Sequence, residues 1–149
     1  MEGAAAVRGF SREAWIGIAT TAIAVGAMAV DHLLGNEPDD DSHLADPPAF
    51  AISVGLSLAV AAFLFGRVVP RAQARGAERA AGVGLVCSVL SLFPGVAFLW
   101  LGFPFVVAGA GVALGLDGLH GGRRRLALAA VVVGAIAIAF GVAFYAFAL

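Results

Sequence analysis

Apolar residues in this chain gather in long runs rather than at alternate positions or on one face of a helical repeat. Five runs can be drawn, at about residues 14–34, 49–69, 78–93, 96–116 and 126–149. A run that is apolar on every side predicts a helix surrounded by apolar matter, either a core or lipid. Crossing about 30 Å of hydrocarbon takes roughly 20 helical residues, and these runs approach or reach that length. The first is entered through Ser11-Arg12-Glu13-Ala14-Trp15, with Trp15 expected at headgroup level. Gly35 to Pro48 then forms a polar loop with an acidic run and three prolines, which favours an irregular, solvated connection. The second run is expected to stop at Pro70. Ala81 to Leu116 contains no charged residue; as one helix it would extend about 54 Å, so it is expected to turn back. Phe93-Pro94-Gly95 is the preferred apex, Gly102-Phe103-Pro104 the competing one, and a re-entrant segment between Pro94 and Pro104 a third arrangement. The expected fold is all-α, a polytopic transmembrane bundle of five spans forming a single integral membrane domain over residues 1–149.

Charge orients that bundle. With 61% hydrophobic and 13% charged residues among 149, the chain has about half the charge of an ordinary soluble domain. Its nine basic residues are all arginines. Arg8 and Arg12 precede the first run, Arg67, Arg71, Arg75 and Arg79 surround the second connection, and Arg123, Arg124 and Arg125 fill the fourth. Cytoplasmic loops retain Arg and Lys, so the N-terminus is expected inside and the C-terminus outside, with the acidic loop 35–48 on the outer face. A single crossing by 81–116 would place Arg123 to Arg125 outside, which argues for two. The four-residue spacing from Arg67 to Arg79 predicts one basic helical face. Arg8 and Arg12 ahead of an apolar run and Ala27-Met28-Ala29 also fit a cleavable signal peptide. Because the run continues to Leu33-Leu34 and Glu13 is unusual in a basic leader, the expectation is that it is retained as a span. The one cysteine, Cys87, lies within an apolar run and reads as a small packing residue.

Candidate chemistry changes this picture little. In the outer loop Glu37, Asp39, Asp40, Asp41, His43 and Asp46, with His32 nearby, offer hard oxygen and imidazole ligands; Asp39, Asp40, Asp41 and His43 are the metal candidates. The glycine and closing glutamate of a calcium loop are missing, so the expectation is a solvated acidic loop, with no metal or cofactor. Asp31 with His32, and Asp117 with His120, pair an acid with an imidazole at span ends, where proton transfer competes with simple access to the interface. Ser53, Ser57, Ser88 and Ser91 have no histidine at a shared depth for nucleophilic catalysis and are expected to bond to carbonyls of their own helices. Asp117-Gly118 begins like the acidic motif of lipid-headgroup transferases, but the later aspartates are absent. The arginine triplet suits anionic lipid, though its simplest role is topological. Nucleic acid is not an expected partner, since no reading module accompanies the basic residues.

Packing signals are more numerous. Gly111 with Gly115, Gly17 with Thr21, Gly55 with Ala59, and Ala130 with Gly134 have the small-xxx-small spacing that lets helix backbones approach. Most are expected inside the bundle and the remainder on a homo-oligomer face. Phe93, Phe98, Trp100, Phe103 and Phe105 are expected to form an aromatic belt at the outer interface, with Tyr145 reaching the same level.

From Ala81 to Leu149, two Gly/Ala/Val-rich runs joined by Pro-Gly are followed by Leu-Gly-Leu-Asp-Gly-Leu-His-Gly-Gly-Arg-Arg-Arg and a last apolar run. This pattern resembles small multi-span actinobacterial membrane proteins of unknown function. The resemblance implies a bacterial plasma (inner) membrane location and brings no activity or site residues. The expected role is therefore a non-enzymatic accessory or scaffold protein, with the lipid bilayer, a membrane-protein partner or a second copy as partners. The alternatives are a small transporter or channel subunit, and a divalent-cation or pH sensor using the acidic loop.

Overall fold

The computed structural model describes residues 11–34, 47–93 and 101–147, and among these the regular structure is helical, with no strand. Five helices follow in order. They are α1 (Arg12–Leu34), α2 (Pro47–Ala74), α3 (Ala77–Leu92), α4 (Phe103–Gly118) and α5 (Arg124–Phe147). Of these, α1, α2 and α5 are long and apolar enough to cross a membrane, while α4 is apolar but shorter. At 16 residues each, α3 and α4 extend about 24 Å.

Local chemistry sets the helix ends. Ser11 caps α1, its Oγ accepting the Ala14 N–H at 3.3 Å, and Glu13 in the first turn meets the positive end of the helix. Pro47 and Pro48 open α2, where the N–H groups they lack have no intrahelical acceptor. The helix does not stop at Pro70 as the sequence suggests. It widens into a π-turn over Leu64–Val68, in which the Val69 N–H donates to the Leu64 carbonyl, and then runs through the proline to Ala74. The wider turn relieves the clash that a proline ring makes with the carbonyl of the preceding turn. Gly76, at φ +98°, ends the run and α3 begins at the next residue. This left-handed backbone favours glycine. It also corrects the expected arginine face: Arg71 lies in α2, Arg75 in the turn and Arg79 in α3, so the four arginines do not share one helix.

The third helix matches the expected run within a residue at each end. The fourth begins at Phe103 rather than Val96. Gly102, at φ +70°, precedes it, and Pro104 sits in its first turn. Thus the Gly102-Phe103-Pro104 apex marks a helix start, whereas Pro94 to Trp100 lie outside the described residues.

Neighbouring helices run in alternating directions. A Cβ on Gly111 of α4 would approach Ser88 of α3, and one on Gly118 would approach Ala81, so rising positions in α4 meet falling positions in α3. The stretch 81–116 therefore does turn back on itself. Thr20 of α1 faces Gly109 and Met28 faces Gly102, again antiparallel to α4. Gly115 faces Ala127 and Ala130 of α5, and Gly134 faces Val112 and Ala108, giving the same relation. Phe65 lies over Gly17 and His32 stacks on Phe50, which sets α2 antiparallel to α1.

At the centre stands α4, buried on almost every side through Phe105, Val106, Ala110 and Leu114. Its glycines permit this crowding. Gly109 admits Thr20, Gly111 admits Ser88, and Gly115 admits the α5 backbone, where a Cβ would lie only 3.0 Å from the Ala127 carbonyl oxygen. Three of the four small-residue pairs thus serve internal packing. The fourth, Gly55 with Ala59, is exposed, and a Cβ at Gly55 meets nothing within 4 Å. Large apolar side chains point outward along the long helices, among them Ile52, Leu58, Leu128, Ile136 and Phe140. An outer surface this apolar exceeds the scattered exposure of soluble proteins and is suited to lipid or protein contact.

Candidate functional site

Among the described residues, the Arg12, Glu13, Asp117, Glu78 and Arg123 ion pairs stand at the end where α1, α3 and α5 begin. Asp117 lies in the last turn of α4, where exposed carbonyls disfavour a carboxylate. Two donors offset this. The Arg12 guanidinium, from the start of α1, donates to Oδ1, and the Gln73 amide, from the end of α2, donates to Oδ2. Glu13 stands beside them, its carboxylate 3.9 Å from Arg12. Hydrogen bonding to the backbone, then to Ser11, holds the Glu13 carboxyl below the usual range, assisted by the Arg12 charge and against the opposing effect of burial. On the other side of this end, Arg123 approaches Glu78 at 3.6 Å and links the starts of α5 and α3. Glycine packing continues beneath, since a Cβ on Gly121 would lie 2.8 Å from the Ala77 Cβ. These contacts join the ends of all five helices, and both Asp117 oxygens are engaged.

Beside this clasp is a surface groove of about 390 Å³ lined by Glu78, Arg79, Gly82, Val83 and Val86 of α3 and by Arg123. A second groove, lined by Gly122, Arg123, Arg124, Arg125, Leu126 and Leu128, shares Arg123 with it. Among the described residues only Arg12 and Arg123 of the arginines are ion-paired. A third groove, almost wholly apolar, runs between α1 and α2 past Gly17, Thr21, Leu58 and Phe65.

The structure separates several residues that the sequence places together. Asp117 and His120 meet through the main chain, the His120 N–H donating to the Asp117 carbonyl at 3.3 Å, while the Asp117 side chain turns to Arg12 and Gln73. At the opposite end, the His32 ring stacks on Phe50 with centroids 4.7 Å apart. Tyr145 is buried, its ring centroid 6.1 Å from that of Phe105. Phe105 belongs to the core, whereas Phe93 is exposed; Phe98 and Trp100 lie outside the described residues. So do Glu37, Asp39, Asp40, Asp41, His43 and Asp46. Among the described residues no three His, Cys, Asp or Glu side chains are grouped closely enough to hold a metal ion.

The serines divide. Ser53 donates to Ala49 and Ser91 to Ser88 within their own helices. Ser57 instead donates to the Leu101 carbonyl at 2.6 Å, and Ser88 to the Ala130 carbonyl of α5 at 2.7 Å. The reason is visible at Ser88, where Gly111 and Gly134 leave space that brings a neighbouring backbone within reach. Sequence reasoning also missed Gln73. Its available signal was an uncharged amide among arginines, at a position where an exposed basic face would not need one.

The fold and site together define a class: an all-α bundle containing three helices long and apolar enough to cross a membrane, tied at one end by hydrogen bonds and ion pairs. No protein-family model, curated protein or solved structure matches the chain.

Proposed function

We propose that the chain is a five-span protein of the bacterial plasma membrane, with its arginine-rich end inside, acting as a non-enzymatic accessory or scaffold protein. The observation that carries this reading is the alternation of the helices. It brings Arg12, Arg71, Arg75, Arg79 and Arg123 to Arg125 to one end of the bundle, as the retention of arginine on the cytoplasmic side requires. The central helix is filled around by small residues and neighbouring backbones, and the three grooves described lie on the outside. Both features favour a packed scaffold over a transport pathway.

Reporters fused after Gly35, Gly76, Gly95, Gly121 and Leu149 test the topology. The expected result is outside, inside, outside, inside and outside; opposite readings at Gly121 and Leu149 overturn five spans. The role is tested by purification from native membranes together with liposome flux. A stoichiometric membrane partner and no flux are expected, and reproducible transport by the purified chain overturns the accessory reading in favour of a transporter.

A further inference from the structure

The groove between the first half of α3 and the turn before α5 combines two features that suit one kind of ligand. At its rim stand Arg79 and Arg123, with Arg124 and Arg125 following at the start of α5. Below the rim the wall becomes apolar through Gly82, Val83 and Val86, and a Cβ at Gly82 would meet nothing within 4 Å, so the floor is open. A cationic rim above an apolar channel matches a phosphate attached to a hydrocarbon chain. It is a poor match for free phosphate, which has no use for the channel, or for an acidic peptide, which would leave backbone polar groups against it.

We propose that this groove binds an anionic phospholipid of the arginine-side leaflet, with Arg79 and Arg123 holding the headgroup phosphate and Gly82, Val83 and Val86 receiving the upper part of an acyl chain. The site rests on the five-span reading, which places the groove at headgroup depth. Glu78 is its regulator: the carboxylate that pairs with Arg123 at 3.6 Å competes with the phosphate for the same guanidinium.

The test uses the full chain in detergent, titrated with phosphatidylglycerol or phosphatidylcholine and read by native mass spectrometry. Circular dichroism and gel filtration check the fold of each variant. Wild type is expected to retain phosphatidylglycerol preferentially. Arg79→Gln with Arg123→Gln should reduce that preference roughly tenfold or more, whereas Arg71→Gln with Arg75→Gln, which removes the same charge from the end of α2 and the turn after it, should leave it nearly intact. Glu78→Gln keeps every arginine and should strengthen retention. Equal retention of the two lipids, equal loss in both double variants, no gain in Glu78→Gln, or displacement of the lipid by millimolar inorganic phosphate each overturns the site. Alkaline carbonate extraction of the chain from phosphatidylcholine vesicles separates the two levels. Release overturns the span reading and the site with it, while a chain that stays inserted yet shows no lipid preference overturns the site alone.

Discussion

Gly111 shows how much one missing side chain decides. A Cβ there would lie 2.2 Å from Ser88 Oγ and 2.9 Å from the Gly84 carbonyl oxygen, and a serine rotamer change relieves only the first clash. Gly111→Ala should therefore destabilise the bundle by about 1–3 kcal/mol, the usual cost of overpacking. Gly55→Ala, at an open position on α2, should be neutral or slightly stabilising through helix propensity. Thermal unfolding in detergent distinguishes them, and equal effects would refute the packing argument. Ser88→Ala loses a buried interhelical bond, expected at about 0.6 kcal/mol. Glu13 supplies a pH signature. Its folded carboxyl is held below the ordinary glutamate range, so its stabilisation is complete above that range and disappears as pH falls through the folded pKa. The stability difference between wild type and Glu13→Gln should be constant near neutrality and shrink on acidification below about 4.5; a difference that grows there refutes the assignment.

Among the elements, α2 departs most from what its sequence suggests. Proline in a helix interior normally costs about 3 kcal/mol, which is why Pro70 reads as a stop. The π-turn at Leu64–Val68 accommodates the ring, while burial of Val69 and Ala72 on either side of it holds the helix against the bundle. Pro70→Ala should therefore change stability by less than about 1 kcal/mol, since the strain that the substitution would release is already relieved. A gain near the full proline penalty, measured by thermal unfolding, would show that the π-turn does not relieve it. The existence of α1, α2 and α5 was legible because a long apolar run with few charges has few alternatives to a helix. The start of α4 was not, because two proline-containing turns, at Pro94 and Pro104, compete within one uncharged stretch. Only the positive φ at Gly102 and its close approach to Met28 distinguish the second as a helix start.

On the scale of the whole molecule, the Asp117 clasp connects the start of α1, the end of α2 and the end of α4. Arg12 and Asp117 are partly exposed, with side-chain exposures of 49% and 21%, so solvent limits what their pair contributes. A double-mutant cycle of Arg12→Gln and Asp117→Asn should give a coupling of about 0.5–1 kcal/mol that weakens with added salt; no coupling at low salt would refute the clasp. The arginine distribution made the shared end of the helices legible, because charge is costly within a long apolar run and collects at its ends. It did not reveal that Asp117 answers Arg12 and Gln73 rather than His120. That pairing joins residues far apart in the chain, and sequence proximity favours the neighbour that the helix end turns away.

By itself the sequence determined that the chain is helical, where its long apolar helices run and which ends carry its positive charge. These follow from the length of the apolar runs, backbone hydrogen bonding and the cost of burying charge, all of which act locally. Only the tertiary structure decided that α4 is the central helix, that Ser57 and Ser88 bond beyond their own helices, that α2 continues through Pro70, and that Arg79 and Arg123 border one groove. In a chain whose helices are apolar on every face, hydrophobicity alone does not choose the side that packs. Glycine positions and the close approach of neighbouring backbones make that choice.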